Sequence, residues 1–490
     1  MTKKKLYMYD VRGIQSYIFR TNKIKEIIGA SSIVEELIIK LFDDACKKFE
    51  LKVENDTHNE KLHFSFDENE ELDAEILYYG GGNLLVLYKN SDVGERVSKE
   101  MRKNLLKKTY SLQLAVASVD VGGKDTYKED YETLRKNMDK VKAKMPMSLP
   151  VSSFPITSND PVTGFPFSKI YNGEKVTCET YYKLKRYDEI LSSKSNKFSE
   201  FGSHDGDSLI AIVHIDGNNM GKYIREKTKD IKTYHDAAKI YRGISNDIQN
   251  IFSNKALKAV EDNLENFFEN HKSIDKNTID VTKEFRTIIH AGDDITFICN
   301  AKIAMDCVRE FMKVLEEDKT YTACAGIYVT HSHFPFSRGY EFAEELCSNA
   351  KRLSRIEEGN YVDFHINTSG ILNDIDYIRR IHYMDLQGKS LYARPYSISL
   401  NNDMNIKQNV MNIKQLMDIL KKLKCSNIAR SQLKGLREAF YQGEIIVSEE
   451  LNRINSRLKD EQKVNFKKDE YIILFDAIEI LDLEWGDVND

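Results

Sequence analysis

Residues 285–299 read FRTIIHAGDDITFIC. Two apolar, β-rich runs flank Ala291-Gly292-Asp293-Asp294, the pattern of a hairpin whose turn is made at glycine. Upstream, residues 209–216 read LIAIVHID, an apolar run of strand length that ends on a carboxylate. A long helical pattern starting with YHDAAKIYRGISNDIQNIF (234–252) separates the two. The helix 301–317 (AKIAMDCVREFMKVLEE) and the strand 321–329 (YTACAGIYV) follow. The order is βαββαβ.

The same order stands earlier in the chain. A strand over 6–9 ends at Asp10, and an amphipathic helical region covers 24–49. The runs EILYYGG (75–81) and NLLVLY (83–88), joined by Gly80, Gly81 and Gly82, give a hairpin; a charged helix over 93–109 leads to the strand 112–121. Asp10 and Asn83 lie 73 positions apart (10 to 83), and Asp216 and Asp294 lie 78 apart (216 to 294). Matching order and spacing with little shared sequence indicates an internal duplication.

The expected fold class is therefore α+β: two ferredoxin-like palm domains, a connecting segment and a C-terminal helical domain. Five of the seven prolines fall between Pro146 and Pro166, which marks the connection. The expected boundaries are 1–125 for the first palm, 126–204 for the linker, 205–400 for the second palm and 401–490 for the helices.

Composition narrows the function classes. With 41% hydrophobic and 30% charged residues the chain reads as folded, and 490 residues imply more than one domain. A net charge of −5 argues against a surface coated for duplex DNA, while leaving room for a local basic groove. No apolar run approaches the roughly 20 residues of a spanning helix, and none has the shape of a secretory signal. Seven cysteines are scattered singly, without zinc-knuckle spacing, so reduced thiols in the cytoplasm are expected.

The chemistry concentrates in the second repeat. If the strand ending at Asp216 lies beside the hairpin bearing Asp293 and Asp294, three carboxylates meet, and their repulsion calls for a cation. Hard oxygen ligands suit Mg2+ or Mn2+, which can clamp a triphosphate and activate a hydroxyl for in-line attack. A bare GDD is common at turns; the combination with an apolar strand ending on Asp216 is what points to a site. In GNNMGK (217–222), Gly217 and Gly221 allow close backbone turns. Asn218 and Asn219 fit ribose or base contacts, and fit a helix start equally well. The first repeat keeps Asp10 but carries Gly81, Gly82 and Asn83 at its hairpin, which suits binding or support more than catalysis. His204-Asp205 lies in a polar loop without a second histidine cluster, and His331 and His333 follow a strand as surface histidines commonly do.

Taken together, DVRGIQSYIF (10–19), IIGASS (27–32), YYGGGN (78–83), HIDGNNMG (214–221), HAGDD (290–294), ACAGIYV (323–329) and PFSRGYEFAEELCSNAK (335–351) resemble the CRISPR polymerase family. This is the palm-domain large subunit of type III CRISPR complexes, and the resemblance spans nearly the whole chain. It implies a GGDD-type hairpin that joins ATP into cyclic or linear oligoadenylate, a GGDEF-like palm, and a role in antiviral defence. Carried over, Asp216, Asp293 and Asp294 bind metal; Gly217, Asn218, Asn219 and Gly292 flank the nucleotide; Lys351 contacts phosphate; Gly81, Gly82 and Asn83 form a second nucleotide surface. Effector subunits and target RNA are the further partners it implies.

Three departures stand out. Ala291 replaces the first glycine of GGDD, the connecting segment lacks the family's zinc cysteines, and the first palm strand begins near residue 6, leaving no HD nuclease domain in view. DNA cleavage is not expected. A non-catalytic scaffold or RNA-binding subunit and a primer-extending polymerase are the alternatives.

Overall fold

The computed structural model describes residues 3–54, 66, 71–145, 156–193, 209–271, 285–332, 334–367, 373–399, 410–426 and 428–483. His204, Asp205 and His333 lie outside them. The chain forms two compact units that are not contiguous in sequence. One takes residues 1–197, 219–250 and 288–292, and the other takes 198–218, 251–287 and 293–490.

The first unit is built on β1 (Lys5–Arg12), α1 (Ile14–Ile18), α2 (Ile24–Lys48), β2 (Val53–Glu54), β3 (Ala74–Gly80), β4 (Asn83–Tyr88), α3 (Ser91–Thr109), β5 (Gln113–Asp120) and α4 (Tyr127–Lys144). The sheet order is β2-β3-β4-β1-β5. Alternation along β1 sorts its side chains to two faces. Leu6 joins Leu77, Leu85, Leu87, Ala115, Leu134 and Met138 in one core cluster. On the opposite face the Tyr9 hydroxyl lies 2.8 Å from that of Tyr88 and 3.1 Å from Ser98 Oγ of α3.

The connecting segment is more than a tether. It supplies the hairpin β6 (Phe167–Tyr171) and β7 (Glu174–Thr177) and the helix α5 (Cys178–Ser193). α5 meets α2 backbone to backbone: a Cβ on Gly29 would stand 1.9 Å from the Lys183 carbonyl oxygen. Lys183, fully buried, donates to Glu179 Oε1 and to the Tyr17 carbonyl, both at 2.6 Å. These bonds satisfy an ammonium that would otherwise be costly to bury.

The second unit carries β8 (Leu209–Gly217). The helices α6 (Met220–Thr228) and α7 (Tyr234–Ile248) that come next in the chain fall within the first unit's residues. There Ile231, Tyr234, Ala237 and Tyr241 join the cluster built on Leu6 and Leu85, and Arg242 pairs with the buried Glu75 at 3.2 Å. The residue range expected for the second palm thus includes a helix whose apolar face covers the first sheet. A nine-residue π-helix (Gln249–Leu257) leads into α8 (Lys258–His271).

The second sheet is completed by β9 (Phe285–Ala291), β10 (Asp294–Asn300), β11 (Ala323–His331), β12 (Asn360–Ile366) and β13 (Tyr396–Ile398), in the order β13-β12-β11-β8-β10-β9. Helices α9 (Ala304–Asp318) and α10 (Phe336–Ser354) are its crossovers. With β1, β3, β4 and β5 set against β8, β9, β10 and β11, both sheets share one core order: second, third, first, fourth strand. That is the ferredoxin-like arrangement, and the α+β class with two palms holds. β8 lies between β10 and β11 with consecutive residues 210–215 buried, so both of its faces are covered, which explains its largely apolar run.

α11 (Ile375–His382) follows, then the C-terminal helices α12 (Ile413–Cys425), α13 (Arg430–Gln442), α14 (Glu444–Asn455) and α15 (Tyr471–Ile480). A buried ionic cluster fixes α15 to the palm. Arg394, with a fully buried side chain, pairs with Asp476 at 3.1 Å and with Glu479, while Arg379 holds the buried Asp363 of β12 through bonds of 2.8 and 2.6 Å. Among the described residues no helix is long and apolar enough to cross a membrane.

Candidate metal and nucleotide site

Asp216, near the end of β8, stands directly opposite Asp294, the first residue of β10; on its other side it faces Cys324 of β11. The turn into β10 is made by Gly292 at φ 71, a backbone region that glycine enters without penalty. Ala291 does not share the left-handed conformation, so replacing the first glycine of GGDD carries no backbone cost here. Asp293 follows within the turn, which brings the three sequence-predicted carboxylates to one end of one sheet.

Their electrostatics are those of crowded acids. Burial, then the charge of Asp216, pushes Asp293 up to about 6. Burial, then Asp216, Asp293 and Glu344 of α10, pushes Asp294 up to about 7. His214 Nδ1 lies 3.5 Å from Asp294 Oδ1 and 3.1 Å from Thr296 Oγ1. Burial pushes that imidazole down to about 4, so near neutrality it brings no positive charge. Asp294 Oδ1 is buried without a hydrogen-bond partner.

Lys351 reaches this cluster from α10. Its Nζ pairs with Asp216 Oδ2 and donates to the Gly217 carbonyl at 3.0 Å. Close seating of the helix on the sheet sets its reach. A Cβ on Gly326 of β11 would stand 2.0 Å from the Ala343 carbonyl oxygen and 2.5 Å from the Cys347 nitrogen, so only glycine allows this approach. Neither Gly326 nor Glu344 was legible as part of a site, since both look like ordinary strand and helix residues.

The asparagines separate. Asn218 is turned into the protein, where its amide donates to Thr322 Oγ1 and the Gly359 carbonyl, each at 3.0 Å. Its donors tie the β8 end to the loops before β11 and β12. Asn219 is exposed with φ 56, and no side-chain hydrogen bond of its own caps α6.

In the first unit Asp10 faces Asn83 across β1 and β4, the counterpart of Asp216 facing Asp294. Gly81 and Gly82 have φ 55 and 79, and Gly81 has open space where a Cβ would stand. Asp10 pairs with Lys142 of α4. Lys142 lies 27 positions after Ala115, the β5 partner of Asp10; Lys351 lies 27 positions after Cys324, the β11 partner of Asp216 (115 to 142, 324 to 351). The duplication therefore extends to an Asp–Lys ion pair, and of its four members only Lys142 carries no local signal in the sequence.

Among the described residues, no three His, Cys, Asp or Glu side chains are already arranged around a common metal position. Lys351 engages Asp216 instead. The donor set nonetheless fits a hard divalent cation: clustered carboxylates, two of them pushed toward neutrality by their surroundings, and one buried oxygen without a hydrogen bond.

Residues 209–357 match the family described as Cas10/Cmr2, second palm domain. A search of curated proteins gave no match. Among solved structures, a Csm1–Csm4 cassette in complex with cA4 is similar at 14% identity with a TM-score of 0.55, covering 98% of this chain and 70% of that one. Csm1 of T. onnurineus matches at 13% identity and a TM-score of 0.53, covering 98% and 69%. A Csm1–Csm4 cassette in complex with AMPPNP matches at 14% and 0.52, covering 98% and 70%. At this identity the likeness of structure speaks for the fold, and it runs almost end to end.

Proposed function

We propose, from the premise that this chain's second palm is of the Cas10/Cmr2 family, that the protein is a metal-dependent nucleotidyltransferase. Its substrate on this reading is ATP and its product a cyclic or linear oligoadenylate. The observation that carries it is the Asp216–Asp294 register pair with Asp293 in the adjoining turn and Lys351 alongside. Similar folds occur in complexes with cA4 and AMPPNP, which supports adenine nucleotides as the class to test first.

Asp216, Asp293 and Asp294 would hold Mg2+ or Mn2+, which when bound supplies positive charge to the triphosphate and lowers the acceptor hydroxyl's pKa. Lys351 adds a movable ammonium at the same end of the sheet, suited to phosphate oxygens. Gly217 and Gly292 keep side-chain bulk away from the strand end and the turn. An acceptor ribose hydroxyl attacks the α-phosphorus; one P–O bond forms, the bond to the β-phosphate oxygen breaks, and pyrophosphate leaves. In the first unit, Gly81 offers open backbone, with Gly82 and the uncharged amide of Asn83 beside it, suited to binding a nucleotide without hydrolysing it. The Csm4 present beside Csm1 in similar structures makes a CRISPR effector subunit the partner class to test.

Incubating the purified protein with each ribonucleoside triphosphate and Mg2+ or Mn2+, then separating products by chromatography and mass, tests this reading. Oligoadenylate from ATP is the expected result. No product with either metal, with or without target RNA and effector subunits, would leave a scaffold.

A further inference from the structure

The cation at Asp216 in this structure is a side chain. Lys351 Nζ pairs with Asp216 Oδ2 and donates to the Gly217 carbonyl at 3.0 Å, and the lysine is 21% exposed. Its helix cannot drift away from the sheet without opening the backbone contact at Gly326. The ammonium can leave by rotation of its own four-carbon stem.

The first unit shows that this pairing does not arise merely because acids crowd together. Lys142 holds Asp10 at the same place in the repeat, although Asn83 stands where a second acid would be. There one lysine balances one carboxylate. In the second unit one lysine serves Asp216 while Asp293 and Asp294 remain, with Asp294 Oδ1 lacking a hydrogen bond and only the neutral His214 ring near it, at 3.5 Å.

Resting on the reading of Asp216, Asp293 and Asp294 as metal ligands, we propose that Lys351 is a resident cation that keeps Asp216 closed to metal until a triphosphate arrives. An ammonium and a divalent ion on one carboxylate repel each other, so metal must displace Lys351. A triphosphate offers Lys351 more negative charge than a single carboxylate does. Once the lysine turns to the phosphates, Asp216 is free for metal. Nucleotide and metal then bind as a coupled pair, each strengthening the other by the same factor.

The test is Mn2+ binding without nucleotide, followed by calorimetry and by electron paramagnetic resonance of free Mn2+. Lys351→Gln is expected to bind Mn2+ about tenfold more tightly than the unaltered protein, a factor equivalent to about 1.4 kcal/mol. Lys351→Arg, which keeps the charge, is expected to stay near the unaltered value. Equal or weaker Mn2+ binding by Lys351→Gln overturns the proposal. Asp293→Asn with Asp294→Asn separates the two ideas. If that double variant loses Mn2+ binding while Lys351→Gln matches the unaltered protein, the metal site stands and the lysine gate falls. Should the double variant bind Mn2+ unchanged, the metal site falls and the gate with it.

Discussion

In the first palm Asp10 faces Asn83 and is held by Lys142; in the second, Asp216 faces Asp294 and is held by Lys351. Strand order, register and the spacing of the lysine agree between the two. What differs is charge: the first end-of-strand pair is neutralised one to one, and the second carries surplus carboxylate. An excess of acid calls for a cation, so on the proposed reading the second palm would take a metal where the first would not.

The hardest test of this contrast is catalytic. Asp293→Ala with Asp294→Ala is expected to lower ATP-dependent product formation by at least about 10²–10³-fold, the scale for losing charge stabilisation at a reacting phosphate. Asp10→Asn is expected to leave the chemical step within a few-fold. Equal losses on the two sides would erase the distinction.

A smaller effect is expected from packing. Gly326 of β11 and Ala117 of β5 occupy matching places, opposite His214 and Met8. Gly326→Ala should cost about 1–3 kcal/mol by forcing α10 outward, read as a fall in denaturant midpoint. Ala117→Gly should cost nearer 0.5–1 kcal/mol.

Next comes pH. Asp293 and Asp294, at about 6 and about 7, lie above the roughly 3.9 of an unfolded aspartate. The folded protein therefore holds extra protons between about pH 4 and 7, and without metal its stability falls as pH rises through that window. Asp294→Asn should flatten this loss, giving a melting temperature above the unaltered protein near pH 8 and close to it near pH 4. A variant that melts lower than the unaltered protein near pH 8 would show that the carboxylate is not under repulsion.

The smallest effect tries to convert one palm into the other. Asn83→Asp places a second acid opposite Asp10, so the metal-free melting temperature should drop by a few degrees and recover partly with millimolar Mn2+. An unchanged melting temperature would mean that Lys142 alone neutralises both acids.

Much of this was legible in advance. Apolar runs, hairpin glycines and the position of each terminal acid are local signals, and they placed the two sheets, the duplication and the three aspartates. Packing partners are not local. The period of α7 shows an apolar face, but nothing in its sequence says that Tyr241 and Arg242 meet Tyr78 and Glu75 of the first sheet. Lys142 sits in a lysine-rich helix where any one lysine looks like the next. The clasp made by Asn218 was not legible either, because an amide beside a strand end suits a ligand and a loop contact equally, and only the positions of Thr322 and Gly359 reveal the contact.

The ion cluster around Arg394 bears on how short such a protein can become. Asp476 and Glu479 lie on α15, close to the end of the described chain, yet they are the counter-ions for an arginine buried beside the palm. A chain terminating ahead of Tyr471 would leave that guanidinium stranded in the interior, a loss on the scale of about 3–5 kcal/mol. Helix α15 is thus a keystone rather than an appendage, and trimming from that side should yield insoluble product before it yields a smaller folded protein.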